Sequence, residues 1–117
     1  MMYEYIGNDV LIIKAALDYI RNKMDILYWN KYHKEMSSPF DNTGEDYITD
    51  IFEVHAYYWG DDEELQDCPN FTYKDLKVSW YKYNGRSVYA TCDHELTVDD
   101  INRMIADCVK AMEKYFS

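Results

Sequence analysis

The chain has few glycines, and they are far apart in the sequence. The four positions are Gly7, Gly44, Gly60 and Gly85. A phosphate-binding loop needs several glycines within a few residues, because its backbone must wrap closely around the phosphate. The sequence therefore predicts no Gly-rich phosphate site.

Cysteine is also scarce. The chain has three cysteines, Cys68, Cys92 and Cys108, and no Cys-x-x-Cys pair. An odd number without that pair argues against a disulfide framework and against a zinc knuckle. We expect three reduced thiols, with Cys92 and Cys108 in the core.

Long apolar runs are absent as well. Residues 1–7 include the acidic Glu4, whereas a signal peptide or a transmembrane helix needs a longer uncharged apolar stretch. A hydrophobic content of 48% and an aromatic content of 17% are nevertheless too high for a disordered acidic chain. We therefore expect a single folded domain over residues 1–117, located in the cytoplasm.

Basic residues are missing from the middle of the sequence. No Lys or Arg occurs between Lys34 and Lys74, yet this stretch holds half of the 22 acidic residues in a chain of formal charge -10. Such a charge distribution repels nucleic-acid phosphates and attracts basic protein surfaces. The sequence thus predicts no direct binding of nucleic acid. The alternative is that these acids only keep a Tyr-rich protein soluble.

Hydrophobic periodicity predicts two amphipathic helices and three strands. The first helix begins after Asn8, which we expect to cap it, and extends for about 22 to 27 residues. Strands are predicted over residues 48–59, 72–82 and 86–92, and Thr97 begins the last helix. We therefore predict an α+β fold in which two helices pack on one face of a three-stranded antiparallel sheet, in the order α-β-β-β-α.

The Asn-Gly dipeptide at residues 84–85 is a hairpin signal between the last two predicted strands. A three-residue loop over residues 83–85 pairs Val78 with Ala90 and gives one apolar face, whereas a two-residue turn leaves neither face cleanly apolar. The opposite face is then polar and carries three tyrosines. Its residues are His55, Tyr57, Lys77, Ser79, Tyr81, Tyr89 and Thr91.

Residues 92–95, Cys-Asp-His-Glu, are all of metal-ligating types. Strand alternation is expected to send neighbouring side chains to opposite faces, and no second cluster in the sequence completes a site. The cysteines and histidines also form no pattern of nucleophile, base and orienting group. We expect no catalytic residues, no metal, no cofactor and no enzymatic activity.

The stretch from residue 76 to residue 110 combines a strand, an Asn-Gly hairpin, a second strand, an acidic helix start and an amphipathic helix. Together with the small size and the acidity, this layout resembles the small acidic phage-encoded anti-CRISPR proteins, particularly inhibitors of Cas9. The resemblance implies a nucleic-acid mimic that acts in the cytoplasm of a host cell. Its carboxylates would occupy the basic groove of a CRISPR effector.

Carboxylates on loops can pair with the Arg and Lys side chains that otherwise hold phosphates, and aromatic neighbours can anchor such a contact. These two requirements select the candidate partner-binding residues. They are Asp61, Asp62, Glu63, Glu64, Asp67, Glu45, Asp46, Tyr57 and Trp59, with Tyr47 and Tyr58 as further aromatic neighbours.

A competing prediction is that the chain is also an interaction protein but binds through a different surface. An immunity-type protein or a homodimer would use the tyrosine face of the sheet, because Tyr is common at protein interfaces. Immunity proteins that neutralise basic nucleases are also small and acidic. Charge alone therefore does not separate the two predictions.

Overall fold

The computed structural model describes residues 2–36, 45–55, 69–83 and 87–117. The strands in these ranges are β1 Tyr3–Ile6, β2 Tyr47–Ile48, β3 Phe52–Val54, β4 Phe71–Tyr73, β5 Leu76–Tyr83 and β6 Ser87–Cys92. The helices are a 3-10 turn, Gly7–Val10, then α1, Leu11–Tyr32, and α2, Val98–Tyr115. Within the described ranges, neither α-helix is long and apolar enough to cross a membrane.

The six strands form one antiparallel sheet in the order β1-β6-β5-β4-β3-β2. The predicted three-stranded sheet and the order α-β-β-β-α are therefore wrong, while the α+β class with two α-helices is confirmed. The strands that were missed or merged are short, with four residues in β1, two in β2 and three each in β3 and β4. Alternation over two to four residues is too brief to mark a separate strand.

Two predicted strands are in fact hairpins with tight turns. The prediction over residues 48–59 contains the end of β2 and all of β3, and its residues 56–59 lie outside the described ranges. The turn between the two strands begins at Thr49, whose hydroxyl accepts the backbone N–H of Phe52 at 2.9 Å. The prediction over residues 72–82 contains the end of β4 and most of β5, separated by a turn in which Lys74 has a φ of 53°. A hydroxyl cap and a left-handed residue turn the chain here without the Gly or Pro that usually marks a turn.

The chain enters α1 directly from the sheet edge. β1 pairs with β6, so that Tyr5 lies opposite Ala90, and the 3-10 turn follows at once. Gly7 begins this turn with a φ of 59°, a conformation that favours glycine. The predicted Asn8 cap is wrong, because Asn8 lies inside the 3-10 turn and α1 begins at Leu11 without a side-chain cap.

The β5–β6 hairpin has the predicted register close to the core. Val78 lies opposite Ala90, as expected. The register shifts beyond Ser79, and Tyr83 pairs with Ser87. Tyr83 is therefore a strand residue, and the predicted loop over residues 83–85 is wrong at that position. The remaining loop residues, 84–86, lie outside the described ranges.

One face of the sheet carries the core. A row of directly paired residues crosses all six strands: Tyr47, Val54, Phe71, Val78, Ala90 and Tyr5. Both helices cover this face, because their buried side chains join the same hydrophobic cluster. From α1 these are Ile13, Ala16, Leu17, Ile20 and Met24, and from α2 they are Ile101, Met104, Cys108 and Met112. The expected burial of Cys92 and Cys108 is confirmed.

The start of α2 is where the sequence predicted it. The Thr97 hydroxyl accepts the backbone N–H of Asp100 at 3.1 Å, and the Asp100 carboxylate accepts the backbone N–H of Thr97 at 2.9 Å. This reciprocal capping box satisfies two backbone donors that would otherwise have no partner.

Candidate functional site

A pocket lined by aromatic rings lies where the C-terminal ends of α1 and α2 meet β2. It is open to solvent and has a volume of about 460 Å³. Its five rings are those of Tyr28, Tyr32, Tyr47, Tyr115 and Phe116. We call this feature the aromatic pocket.

The rings of the aromatic pocket hold one another in place. The Tyr47 centroid is 5.0 Å from that of Tyr115 in an edge-to-face pair and 6.0 Å from that of Phe116 in a stacked pair. Tyr28 lies 4.6 Å from Tyr32 and 5.9 Å from Phe116. Aromatic pairs in these geometries add about 0.5–1.5 kcal/mol beyond their buried area. The wall of the pocket is therefore formed before any ligand arrives.

Tyr47 is the most enclosed of these rings. Its exposed fraction is 6%, and its hydroxyl makes no hydrogen bond within the described part of the chain. Burial raises the pKa of Tyr47 far above its ordinary value, with Tyr115 and Cys108 adding to the shift, so the phenol is neutral. A buried hydroxyl without a partner costs about 1–3 kcal/mol. A polar group bound in the pocket can remove that cost.

Two acidic residues from the predicted partner-binding set, Glu45 and Asp46, also line the aromatic pocket. Both are exposed, and Asp46 is hydrogen bonded to His55, with Oδ2 3.0 Å from Nδ1. The Lys31 ammonium lies 5.3 Å from the Tyr32 centroid, within the range of a cation–π contact. Aromatic faces beside carboxylates are suited to the cationic side chain of an Arg or a Lys.

The adjoining sheet edge continues the acidic surface. Asp50 is exposed in the β2–β3 turn, and Glu53 lies on the solvent side of β3. In the same hairpin, Ile48 and Ile51 are 59% and 43% exposed. Exposed apolar residues among carboxylates can act as anchors within a polar contact surface.

Seven predicted partner-binding residues lie outside the described ranges. They are Asp61, Asp62, Glu63, Glu64, Asp67, Tyr57 and Trp59, and the further aromatic Tyr58 joins them. The structure brings Glu45 and Asp46 together with four rings that the sequence did not assign to the site: Tyr28, Tyr32, Tyr115 and Phe116. The sequence placed these rings towards the ends of the two predicted helices, and nothing local to them indicates that the two helix ends meet.

A second polar cluster joins the β4–β5 turn to the end of β6. His94 Nδ1 lies 2.7 Å from Asp75 Oδ2, 3.2 Å from Asp93 Oδ1 and 3.5 Å from Cys92 Sγ. We call Asp75, Cys92, Asp93 and His94 the His94 cluster. Strand alternation does not separate these side chains, because β6 ends at Cys92 and the chain bends through Asp93 and His94.

Several pKa values in the His94 cluster are shifted. Burial raises the pKa of the Cys92 thiol; the neighbouring carboxylates of Asp75 and Asp100 add to the rise, and a hydrogen bond from the His94 backbone opposes it. Burial also works against ionisation of Asp75, but hydrogen bonds from His94, its own backbone and Cys92 outweigh it and lower the pKa of that carboxyl. Asp75 is therefore held as an anion beside the imidazole.

A third feature is a line of exposed residues on α1 that faces away from the core. The residues recur at alternating steps of three and four: Ile12, Ala15, Tyr19, Asn22, Ile26 and Trp29. The four large members are each 51–55% exposed. We call this line the outer stripe of α1. Its spacing is that of the contact positions in a coiled coil.

The tyrosine face of the sheet is only partly within the described ranges. Tyr57 lies outside them, and the side chain of Tyr81 is not described. Tyr89 is half-buried, and its hydroxyl donates to Glu4 Oε1 of the neighbouring β1 at 3.0 Å. The described part of this face therefore presents one tyrosine, and that tyrosine already has a partner within the sheet.

No family model, no curated protein and no solved structure matches this chain.

Proposed function

We propose that the chain is a non-enzymatic interaction protein of the cytoplasm that binds a basic, nucleic-acid-binding protein and competes with nucleic acid for it. The observation that carries the proposal is the aromatic pocket with Glu45 and Asp46 at its rim. A phage-encoded inhibitor of a CRISPR effector would have this role, since such effectors hold nucleic acid in a positively charged channel.

The described lining of the aromatic pocket holds two carboxylates and one ammonium, that of Lys34, so its net negative charge favours a guanidinium or ammonium group over a neutral one. The ring faces offer cation–π contacts, the two rim carboxylates offer charge-assisted hydrogen bonds, and the Tyr47 hydroxyl offers an unpaired acceptor. An Arg that normally grips a phosphate makes the same kinds of contact. The pocket is therefore proposed as the anchor for one such side chain.

The wider charge distribution supports the same partner class. Half of the acidic residues lie in a stretch without Lys or Arg, and four of them, Glu45, Asp46, Asp50 and Glu53, lie on or beside β2 and β3, next to the pocket. A concentrated negative field raises the rate of encounter with a basic protein and weakens as salt is added. On the same proposal, Asp61, Asp62, Glu63, Glu64 and Asp67 extend this field, and Tyr57 and Trp59 add aromatic contacts.

The test measures inhibition of target-DNA cleavage by guide-loaded Cas9 at low and high salt. The unmodified chain is expected to inhibit at low salt and to lose affinity as the salt concentration rises. The double variant Glu45→Lys/Asp46→Lys is expected to weaken inhibition by about tenfold or more, because two charge-assisted contacts become repulsive. Tyr115→Ala is expected to weaken inhibition without a change in charge.

The matched control reverses two exposed charges on α2 with Asp99→Lys/Glu113→Lys. This variant changes the net charge equally but leaves the aromatic pocket intact, so it should inhibit nearly as well as the unmodified chain. Equal losses in the two double variants would mean that only net charge matters, and the pocket would have no anchoring role. Absence of inhibition at low salt would remove Cas9 as the partner.

A second candidate function is self-association, and the observation that favours it is the outer stripe of α1 rather than the tyrosine face. We infer that the occupant of this stripe is a second copy of the chain, aligned parallel. The coiled-coil spacing makes the stripe self-complementary, since each residue can meet its own counterpart. Asn22 would face Asn22 of the other copy, where two amides can hydrogen bond.

Charge selects the parallel orientation. Asp18 and Lys23 flank the outer stripe on opposite sides and are five residues apart, the spacing at which flanking residues of parallel coiled-coil helices meet across the interface. A parallel pair therefore brings Asp18 of each copy to Lys23 of the other. An antiparallel pair brings Asp18 to Asp25, which is repulsive.

A charge exchange tests both the occupant and the orientation. Asp18→Lys should weaken self-association in sedimentation equilibrium, and Asp18→Lys/Lys23→Asp should restore it. Stronger association of Asp18→Lys would indicate the antiparallel pair instead. A chain that is monomeric at high micromolar concentration would contradict self-association through α1.

A further inference from the structure

In the His94 cluster, the groups that can accept a hydrogen bond outnumber the protons on the ring nitrogen that they approach. Asp75, Asp93 and Cys92 all approach His94 Nδ1, which carries at most one proton. A single proton cannot form good hydrogen bonds to two carboxylates and a sulfur at the same time. A divalent cation in its place would satisfy all of them at once.

We propose that Asp75, Cys92, Asp93 and His94 form a tetrahedral zinc-binding site. One ligand atom from each residue can be chosen so that all four lie within 4.8 Å of one another. The donor set of one sulfur, one imidazole nitrogen and two carboxylate oxygens is one that Zn²⁺ accepts, whereas Mg²⁺ and Ca²⁺ prefer oxygen alone.

The three separations that involve His94 Nδ1 are close to those of a tetrahedral centre, and the other ligand atoms lie within 4.8 Å of one another. Zinc bonds of about 2.0–2.3 Å place neighbouring ligand atoms about 3.3–3.6 Å apart. His94 Nδ1 already lies 3.5 Å from Cys92 Sγ and 3.2 Å from Asp93 Oδ1. Asp75 Oδ2, now hydrogen bonded at 2.7 Å, must withdraw by about 0.6 Å. Asp75 belongs to a two-residue turn, where a shift of that size needs only a small rotation of the side chain.

The other ring nitrogen of His94 supplies an independent indication. His94 Nε2 lies 3.6 Å from Asp100 Oδ2, a close contact slightly beyond hydrogen-bond distance. In metal sites, the ring nitrogen that does not bind the ion usually donates to a carboxylate, which fixes the orientation of the imidazole. Asp100 is itself held by the capping box of α2, so it is a positioning residue with a fixed carboxylate.

An ion can reach the cluster from the solvent side. The imidazole of His94 is 50% exposed and borders a pocket of about 130 Å³ that Asp75 and Asp100 also line. Cys92 is fully buried at the base of the cluster, with the backbone of His94 hydrogen bonded to its sulfur. Binding would release the thiol proton, because zinc coordinates the thiolate. The site would link β4, β5, β6 and α2 and so act as a structural centre, whichever partner the chain binds.

The test titrates chelator-treated chain with Zn²⁺ by calorimetry and with Co²⁺ by absorption. A Cys68→Ser background removes the one cysteine outside the described ranges. We expect one ion per chain, release of protons to the buffer, and a cobalt spectrum with intense tetrahedral bands and a thiolate charge-transfer band. Weak cobalt absorption without that band would overturn the four-residue site.

Matched variants locate the ion. His94→Ala and Cys92→Ser should each weaken binding by more than about tenfold, and Asp100→Asn should weaken it by about tenfold with the thiolate band retained. The controls are Cys108→Ser, another buried thiol, and His55→Ala, another histidine paired with an aspartate. Both should bind as the parent does.

Thermal unfolding shows whether a variant that loses zinc binding still folds. The parent should gain thermal stability when Zn²⁺ is added, because the ion binds the folded state. His94→Ala should unfold normally without metal, since its side chain is half exposed, and should gain nothing from Zn²⁺. Unchanged binding in His94→Ala, or no binding by the parent at micromolar Zn²⁺, would refute the proposal.

Discussion

The two helices lie side by side on the same core but present different faces to solvent. α2 exposes mainly polar and charged side chains, among them Asn102, Arg103, Lys110 and Glu113. α1 exposes Ile12, Tyr19, Ile26 and Trp29 in a straight line. Burial in the core accounts for the apolar pattern of α2 except at its two ends, where Val98 and Tyr115 are 64% and 59% exposed. It accounts for only one of the two apolar faces of α1, so the second face needs another explanation.

The helix starts differ in the same way. α2 begins with a complete capping box between Thr97 and Asp100, whereas α1 follows a 3-10 turn and has no side-chain cap. α2 therefore has local signals at its start and a single apolar face, both readable from the sequence. α1 depends on its neighbours for its start, and its outer stripe has no counterpart within the described chain.

The largest expected effect concerns the face that the two helices share. Ile20→Ala in α1 and Met112→Ala in α2 remove side chains that are completely buried. Each should lower the free energy of unfolding by about 2–5 kcal/mol, because it removes apolar burial and leaves a cavity. Urea denaturation measures both. A loss below about 1 kcal/mol in either variant would mean that this helix is not packed on the common core.

The second prediction separates the outer faces. Ile26→Glu in the outer stripe should abolish self-association, because it places a charge in an apolar contact, and should change monomer stability by less than about 0.5 kcal/mol. Lys110→Glu on the outer face of α2 is the control and should leave the sedimentation profile unchanged. Identical sedimentation of the two variants would contradict the proposal that only the outer face of α1 mediates self-association.

The third prediction concerns the attachment of α2 to the sheet. The buried Tyr73 hydroxyl on β4 donates a short hydrogen bond to the Asp107 carboxylate on α2. Tyr73→Phe should lower the free energy of unfolding by about 1.5 kcal/mol, as is typical for a hydrogen bond to a charged group. Tyr89→Phe loses a hydroxyl bonded to Glu4 at an exposed position and should cost less than about 0.5 kcal/mol.

The same bond has a defined pH dependence. Burial raises the pKa of Tyr73, and the hydrogen bond and charge of Asp107 raise it further. Because the folded-state pKa exceeds the unfolded value, the contribution is complete below about pH 10 and is lost as the pH rises above it. Stability curves of the parent and Tyr73→Phe should therefore converge at alkaline pH. Curves that stay parallel would contradict this bond.

The smallest expected effect concerns the helix starts. Thr97→Ala removes the hydroxyl of the capping box and should cost about 1 kcal/mol. Asn8→Ala is the counterpart before α1, where no side-chain cap exists, and should cost less than about 0.5 kcal/mol. A larger loss for Asn8→Ala than for Thr97→Ala would reverse the contrast between the two starts.

The sequence predicted those parts of the fold that depend on neighbouring residues. The start of α2 follows from Thr97 and Asp100, and the pairing of Val78 with Ala90 follows from alternation around one hairpin. It did not predict β1, which is defined by pairing with β6 more than eighty residues later in the chain. It also merged β2 with β3, because the turn at Thr49 depends on one hydroxyl rather than on Gly or Pro.

In the candidate sites, too, the sequence predicted what depends on neighbouring residues and missed what depends on distant ones. Charge alone was enough to select Glu45 and Asp46 from the sequence, but their aromatic neighbours Tyr28 and Tyr115 come from two helices that meet only in the folded chain. The residues Cys92 to His94 were visible as a possible ligand group. Asp75, which completes the cluster, comes from a turn that the sequence assigned to the middle of a strand.

By itself, the sequence determined the class of the protein: an acidic α+β chain with a helix capped at Thr97 and a long stretch without a basic residue. These properties follow from composition and from contacts between near neighbours. Only the tertiary structure decided that the sheet has six strands, that α1 keeps a second apolar face, and which distant side chains share a pocket. Those features depend on contacts between residues far apart in the chain, and local periodicity does not indicate which distant residues pair.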